Sequence, residues 1–258
     1  MLSLAVTCTT IELQNKAREL AKKLHLPFLI HTQNEELSKY DYLLTYTETF
    51  LELRKSNSIF FHIDFLSGKI KYRSKQAGLR KELLARAIGF HPRENPNIID
   101  ATAGLGLDSF ILASLGFEIT LLERSPIMHA LLSDALYRAK TCIQVAPIIK
   151  RMHLINADAR EWLQNKSCDI ILLDPMFPER KKSSLVKKEM VIMQDLLGKD
   201  EDSNSLFQLA LTCATHRVVV KRPRLAANIA DFAPNFSHIG KSNRFDVYLT
   251  HLLTRQNS

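Results

Sequence analysis

The sequence has few of the features that mark metal-binding, disulfide-bonded or membrane-spanning proteins. Its four cysteines are scattered over 258 residues without a C-x-x-C pair, and its nine histidines show no H-E-x-x-H or similar ligand spacing. These absences argue against a zinc site and a disulfide framework and fit reduced thiols in a cytosol, so we expect no metal. No apolar run approaches the roughly 20 residues of a membrane span, so we expect no membrane association.

Targeting signals and repeats are also lacking. Residues 1–10 carry no basic region ahead of their apolar residues, which predicts no signal peptide and a cytoplasmic location. No internal repeat or low-complexity tract stands out, and a monomer is the default expectation. Positive charge, by contrast, is plentiful, with a net charge of +8 and a pI near 9.3. That excess fits a polyanionic partner such as nucleic acid, although solubility alone would explain it equally well.

The order of predicted elements divides the chain at about residue 76. With 46% hydrophobic and 24% charged residues, the chain suits one large core, or one large and one small domain. Residues 1–76 show strand-like runs at 4–8 and 42–46 and predict a small α+β domain. A basic stripe at its end could contact RNA phosphate or could simply protect a solvated edge strand. The stripe consists of Lys69, Lys71, Arg73 and Lys75.

Residues 77–258 alternate strand and helix, the rhythm of a doubly wound, largely parallel sheet. The fold class predicted is therefore α/β, with a Rossmann-like domain following the small α+β domain. A helix is predicted at 206–215, and the chain is expected to finish with a pair of strands. The predicted strands are 97–100, 117–123, 153–155, 169–174, 217–221, 236–240 and 245–250.

Acidic residues stand at or just beyond the ends of four successive predicted strands: Asp100, Glu123, Asp158 and Asp174. Each alone could cap a helix or a turn. Together they predict a ligand site, because ligands of open α/β sheets bind at the carboxyl ends of the strands. A carboxylate in the position of Glu123 can accept both ribose hydroxyls of an adenosine ligand, and Asp158 would lie near the adenine amino group.

The first turn of this sheet carries Gly104 and Gly106, which permit a tight turn and a close approach of a ligand to the backbone. A dinucleotide-binding fingerprint requires a third glycine three residues later, where Ser109 stands instead. That departure weakens the alternative of a nicotinamide-dependent oxidoreductase.

The run Asp174-Pro175-Met176-Phe177-Pro178 follows a buried apolar strand. Its two prolines end the strand abruptly and hold an acid and an aromatic ring in a stiff loop. Asp174 could accept a hydrogen bond from an amine, and Phe177 could stack on a base, a contact worth about 1–3 kcal/mol. The alternative is a rigid turn in which the aspartate caps a backbone group. Asp174 and Phe177 are the predicted catalytic residues.

Two basic groups flank this loop and the fifth strand. We predict that they contact RNA phosphates, with a solvated helix face as the alternative. They comprise Arg180, Lys181, Lys182, Lys187 and Lys188 in the first group, and Lys221, Arg222 and Arg224 in the second.

The motifs at 97–250 resemble class I S-adenosylmethionine (SAM)-dependent methyltransferases, with Asp-x-x-x-Gly-x-Gly at 100–106 and Leu-Leu-Glu-Arg at 121–124. Asp-Pro-Met-Phe-Pro is similar to the Asp/Asn-Pro-Pro-Tyr/Phe motif of exocyclic-amine methyltransferases. A closer resemblance is to the bacterial RsmJ family. The runs that carry it are Leu-Glu-Leu-Arg-Lys (51–55), Asp-Ala-Thr-Ala-Gly-Leu-Gly (100–106), residues 172–178 and 183–190, Arg-Val-Val-Val-Lys-Arg-Pro (217–223) and Arg-Phe-Asp-Val-Tyr (244–248).

This resemblance implies SAM as cofactor, methylation of N2 of one guanine in 16S ribosomal RNA, and the RNA or the small ribosomal subunit as partner. A methyltransferase for another exocyclic amine, in DNA, tRNA or protein glutamine, and a non-catalytic RNA-binding module stay open as alternatives. The cofactor contacts implied are Asp100, Gly104, Gly106, Leu107, Asp108, Glu123, Arg124, Asp158, Ala159 and Asp174.

Overall fold

A computed structural model describes residues 2–30, 38–55, 59–67, 81–175 and 202–250. These residues form two compact units. The first contains the described residues of Met1–Phe65 together with Ala130–Arg138, and the second those of Leu66–His129, Ala139–Phe177 and Asp200–Ser258. The domain boundary predicted at residue 76 lies outside the described residues and stays a prediction. The same holds for the basic stripe at 69–75.

The first unit is built on a four-stranded sheet in the order β1-β2-β3-β4. β1 and β2 run parallel, and the other neighbours are antiparallel. Helix α1 (Gln14–Leu24) packs on β1 and ends at His25, which adopts the left-handed conformation. The strands predicted at 4–8 and 42–46 are confirmed. The four strands are β1 (Leu4–Cys8), β2 (Tyr42–Tyr46), β3 (Leu51–Lys55) and β4 (Ile59–Phe61).

The second unit contains a seven-stranded sheet in the order β10-β11-β9-β8-β5-β6-β7. The five neighbouring strands β9, β8, β5, β6 and β7 are parallel, as predicted. β11 is antiparallel to β9, and β10 is antiparallel to β11. The short connection between β10 and β11 permits a hairpin but no parallel crossover. The strands are β5 (Ile98–Asp100), β6 (Ile119–Glu123), β7 (Met152–Asn156), β8 (Cys168–Leu173), β9 (Ala214–Pro223), β10 (Phe236–Ile239) and β11 (Asn243–Leu249).

Helices connect these strands. The helix predicted at 206–215 begins earlier, at Ser203, and ends at Cys213. Residues 214–215 belong to β9 instead, because Ala214 is extended and the Thr215 hydroxyl donates to the Cys168 carbonyl of β8. The helices after β4 are α2 (Leu83–Ile88), α3 (Leu107–Ser114), α4 (Pro126–Ala139), α5 (Ala146–Ile149), α6 (Ala159–Trp162) and α7 (Ser203–Cys213).

The central strands form the core of the second unit. Residues 170–173 of β8 and 218–220 of β9 are almost completely buried, as expected for a parallel sheet covered on both faces. Such strands appear in the sequence as continuous apolar runs rather than alternating ones. Their register also aligns the strand ends, because Asp100 lies opposite Leu172 and Leu173 lies opposite Val220. Among the described residues, no helix has the length and apolar character needed to span a membrane.

Candidate active site

The four acids predicted at one sheet edge do lie at the carboxyl ends of parallel strands. Asp100 is the last residue of β5 and Glu123 the last of β6, while Asp174 directly follows β8. Asp158 follows β7 and is the N-cap of α6. Strand register brings these ends to the same edge of the sheet, which therefore carries a concentration of negative charge.

The turn after β5 is fixed to the end of β6. Gly104 and Gly106 have positive φ angles of 50° and 67°, a conformation that a side chain disfavours, and Gly106 caps α3. The Gly104 N–H donates to Glu123 Oε2 at 3.0 Å, and the Ser125 N–H donates to Oε1 at 2.7 Å. Glu123 is only 5% exposed, so both backbone segments hold its carboxylate in one orientation beside the turn.

Asp100 is buried beneath the same turn. Its Oδ2 accepts from the Ser109 hydroxyl at 2.6 Å, and its Oδ1 accepts from the Thr102 N–H at 3.2 Å. Burial raises the pKa of Asp100 to about 7 despite these two hydrogen bonds, and the neighbouring acids add to the rise. Ser109 was not predicted as a site residue. The sequence feature that could have identified Ser109 is its position, because it stands where a dinucleotide-binding fingerprint requires glycine.

A lysine joins Asp174 to a further acid, Asp108 of α3. Lys221 Nζ lies 2.6 Å from Asp108 Oδ2 and 2.8 Å from Asp174 Oδ2. The Asp174 N–H donates to the Thr102 hydroxyl at 2.6 Å, which ties the loop after β8 to the turn after β5. Asp174 thus has a fixed backbone, and its side chain, still 42% exposed, is held by an ion pair.

The pKa values in this group follow from burial and from the neighbouring charges. Desolvation raises the pKa of Asp174, the Lys221 ammonium lowers it, and the Asp108 carboxylate raises it again, with a net rise. Burial lowers the pKa of Lys221, but the carboxylates of Asp108 and Asp174 outweigh burial and raise it. Lys221 therefore stays charged, and the charge it supplies opposes protonation of Asp174.

A second charged network lies around Asp158. Arg160 binds the Asp158 carboxylate through its side chain, with Nη2 at 2.6 Å from Oδ2, and this bond is the main reason that the pKa of Asp158 is lowered. Asp202 Oδ2 accepts from Arg124 Nη1 at 2.6 Å and pairs with Arg160 Nη1 at 2.9 Å. Arg124 and Asp158 thus belong to one charged network. Its other two members, Arg160 and Asp202, were not predicted from the sequence.

Two of the residues predicted to contact phosphate face inward instead. Lys221 pairs with two carboxylates of the site rather than extending from the surface. Arg222 is 5% exposed and donates to the Ala227 carbonyl, so its side chain lies within the fold, and its contact with phosphate stays a prediction. As neighbours in β9 the two side chains point to opposite faces of the sheet, where Lys221 keeps 24% of its side chain exposed and Arg222 is buried.

Three other predicted residues lie at the start of a helix or on the surface. Leu107 opens α3 and is half-buried, Ala159 opens α6 and is buried in the core, and Arg224 is exposed. Their predicted roles remain predictions. The predicted site residues that lie outside the described part of the chain are Phe177, Arg180, Lys181, Lys182, Lys187 and Lys188.

The edge as a whole suits a ligand with positive charge and hydroxyl groups. Asp108 and Asp174 share the ammonium of Lys221, so their two carboxylates outnumber the cation between them, and both act on the nearby Asp100. Glu123 supplies an acceptor-only carboxylate beside a glycine turn that allows close approach. A sulfonium, an ammonium and a ribose match these features.

Comparisons with known proteins agree with this chemistry. A family model described as "Putative SAM-dependent methyltransferase" matches residues 20–250. The ribosomal RNA small subunit methyltransferase J of Nitrosococcus oceani is 43% identical over 97% of this chain and 100% of its own length. The protein of the same name from Coxiella burnetii, strain RSA 331, is 41% identical over 96% of this chain and 97% of its own.

A solved structure gives the same result for the fold. The crystal structure of a SAM-dependent methyltransferase from Neisseria gonorrhoeae has 31% sequence identity and a TM-score of 0.69, covering 96% of each chain. The class I methyltransferase fold predicted from the sequence is thereby confirmed. The chain belongs to the family of SAM-dependent methyltransferases that includes the ribosomal RNA small subunit methyltransferase J proteins, and its cofactor is SAM.

Proposed function

We propose that this protein transfers the methyl group of SAM to N2 of a guanine in small-subunit ribosomal RNA. The observation that carries the proposal is the Asp174 carboxylate, which is partly exposed at the sheet edge and paired with Lys221 at 2.8 Å. It directly precedes Pro175, in a loop whose sequence resembles that of exocyclic-amine methyltransferases. The names of the relatives support RNA of the small ribosomal subunit as the substrate.

The residues at the edge divide the work of holding the cofactor. Glu123 would accept the ribose hydroxyls, while the turn at Gly104 and Gly106 lets the backbone approach closely. The negative charge of Asp108, and that of Asp100 once it is ionised above about pH 7, would stabilise the cationic groups of SAM. SAM supplies an electrophilic methyl group on a positively charged sulfur. The further proposed contacts are Leu107, Arg124, Asp158, Ala159 and Asp174.

Asp174 would act on the acceptor amine. A guanine amino group is a poor nucleophile, because its lone pair is delocalised into the ring. A hydrogen bond from the amine to Asp174, or to the Pro175 carbonyl, favours a more tetrahedral nitrogen with an available lone pair. The enzyme must also place that nitrogen within roughly 3–3.5 Å of the methyl carbon and in line with the bond that breaks. The proton lost after transfer can leave through Asp174.

RNA must present its base outside the stack for this geometry to form. Phe177 would stack on the displaced guanine. The basic residues at 180–182 and 187–188, and those at 69–75 in the proposed small domain (residues 1–76), would bind backbone phosphates. The protein would do so as a monomer in the cytoplasm.

The test is transfer of a labelled methyl group from SAM to small-subunit ribosomal RNA that lacks the modification, followed by digestion to nucleosides. N2-methylguanosine at one site is the expected product. A different labelled nucleoside would contradict the N2 assignment. Labelling of DNA, tRNA or protein glutamine, but not of ribosomal RNA, would favour a methyltransferase for another exocyclic amine. The assay should be repeated with small ribosomal subunits before the RNA substrate is rejected.

A further inference from the structure

The chain leaves β9 at the carboxyl edge of the sheet and makes a tight turn there. The Ala226 N–H donates to the Pro223 carbonyl at 3.0 Å, so Arg224 and Leu225 occupy the two central positions of the turn. Both residues are exposed, and Leu225 is 94% exposed, an extreme value for a large apolar side chain. The turn begins two residues after Lys221, whose ammonium pairs with Asp174.

A buried guanidinium holds this turn in place. Arg244 is 9% exposed, and its Nη1 donates to the carbonyls of Arg224 at 2.9 Å and Ala226 at 2.8 Å. Its Nη2 donates to Asn228 Oδ1 at 3.1 Å, and its Nε pairs with Asp246 Oδ1 at 2.8 Å. The Arg244 side chain thus holds the turn in one conformation. The turn therefore loses little conformational entropy when it binds a partner.

The connection between β9 and β10, which begins with this turn, is also fixed near its other end. The Tyr248 hydroxyl donates to the Phe232 carbonyl at 3.1 Å, and the Tyr248 ring packs against Phe207 and Phe232. Arg244 and Tyr248 both belong to the Arg-Phe-Asp-Val-Tyr run at 244–248, which no part of the proposed chemistry uses. Its role in the structure is to build the platform beneath the turn.

Two exposed basic residues lie near the exposed leucine. Arg224 is its neighbour in the turn, and the Arg224 N–H donates to the Ser242 carbonyl at 3.0 Å, which brings in the β10–β11 connection with exposed Lys241. An exposed apolar side chain with basic residues in the same turn and in the adjoining connection fits a polyanion whose interior is apolar. Stacked nucleic acid has this character, with phosphates outside and base faces within.

We propose that Leu225 is the residue that enters the RNA stack when the substrate guanine leaves it. The inference rests on the proposed function. A base that reaches the edge at Asp174 must unstack, and the space it leaves is unfavourable unless something fills it. Apolar side chains, leucine among them, serve as wedges between bases in other nucleic-acid complexes. Arg224 and Lys241 would bind the phosphates on either side of the gap.

The test compares Leu225→Ala with Ile143→Ala. Ile143 is a matched control, because it is 90% exposed but precedes β7 and so lies toward the amino ends of the strands. Each variant is assayed with small-subunit ribosomal RNA lacking the modification. We expect kcat/KM for RNA to fall about tenfold or more in Leu225→Ala, with SAM affinity and the thermal midpoint unchanged, because the side chain is in water in the free protein. Ile143→Ala should match the wild type, and Leu225→Met should retain most activity.

A second substrate separates a wedge from a general contact. In an RNA fragment in which the methylated guanine is left unpaired, unstacking costs less, so the Leu225→Ala defect should shrink severalfold. A defect of equal size on both fragments would refute the wedge role. So would wild-type kinetics of Leu225→Ala on RNA, the result expected if the leucine served a protein partner. If the wild-type enzyme methylates no RNA at all, the proposed function fails and this inference fails with it.

Discussion

Replacement of Lys221 by methionine tests the electrostatic arrangement of the site directly. The substitution keeps a long side chain but removes the ammonium that lies 2.6 Å from Asp108 and 2.8 Å from Asp174. Asp108 Oδ2 and Asp174 Oδ2 would then face each other without a cation between them. Their separation is at most 5.4 Å, the sum of their two distances to Lys221 Nζ. Because Lys221 lowers the pKa of Asp174, its loss must raise that pKa.

The size of the effect follows from Coulomb's law. Opposite unit charges 2.8 Å apart attract by about 6 kcal/mol at an effective dielectric constant near 20 and by about 1.5 kcal/mol at that of water. Asp174 is 42% exposed, and solvent screening brings the lost attraction towards the lower value, about 1–2 kcal/mol. That corresponds to a rise of about one pKa unit. Asp174 is needed as an acceptor in its ionised form, so the acid limb of the methylation rate should move to higher pH by about one unit.

The assay is kcat for methyl transfer to ribosomal RNA between pH 5.5 and 9.5, with Lys221→Arg as the matched control that retains the charge. In Lys221→Met the rate should be lowest at acidic pH and recover as the pH rises, while Lys221→Arg should keep the wild-type limb. A Lys221→Met profile parallel to that of the wild type, lowered equally at every pH, would refute the reasoning. It would mean that Lys221 only supports the packing of the site.

Four further predictions address other residues. Asp174→Ala should lower kcat by roughly 100-fold or more because amine positioning is lost, while RNA affinity measured by fluorescence anisotropy changes little; equal losses in both would rule out the catalytic role. Asp100 holds its proton to about pH 7 in the fold, so the free energy of unfolding should decrease from about pH 4 to about pH 7, where the folded state binds more protons than the unfolded state. Denaturant titrations should show a flatter pH dependence for Asp100→Asn, and an unchanged slope would exclude Asp100 as its source. Phe177→Ala should slow methylation about 10–100-fold, whereas Phe177→Trp should be tolerated; an inactive tryptophan variant would indicate that the ring packs in the core. Glutamate at both Lys187 and Lys188 should reduce the slope of log affinity against log salt by about 0.7 for each lost phosphate contact, and an unchanged slope would remove this patch from the interface.

The sequence alone was sufficient to predict the sheet and its edge. Buried parallel strands leave continuous apolar runs, and residues 170–173 and 218–220 are of this kind. The acids that follow such runs were placed correctly at the carboxyl ends, because parallel strands joined by helices start and end together. The glycine turn was also identifiable, since positive φ angles at Gly104 and Gly106 restrict the residue type.

The partners of those acids could not be predicted, because they depend on the direction of side chains from elements distant in sequence. Lys221 lies 113 residues from Asp108 and 47 from Asp174, and only the placement of β9 beside β8 brings its ammonium between them. The same residue in the sequence looked like part of a basic surface run, and Arg222 did as well. The structure likewise shows that Ser109 bonds to Asp100 and that Arg160 bonds to Asp158, because side-chain directions are fixed only in the folded chain.

Thus the chain's local patterns determined which residues stand at the edge of the sheet. Local sequence limits strand, turn and helix through backbone conformation and apolar periodicity, and these constraints act over a few residues. Tertiary structure decided how the charges are paired and how far each is buried, because electrostatic free energies depend on distance and solvent access across the whole fold. The platform of Arg244 beneath Leu225 is of the second kind, since it exists only where β11 lies against β9.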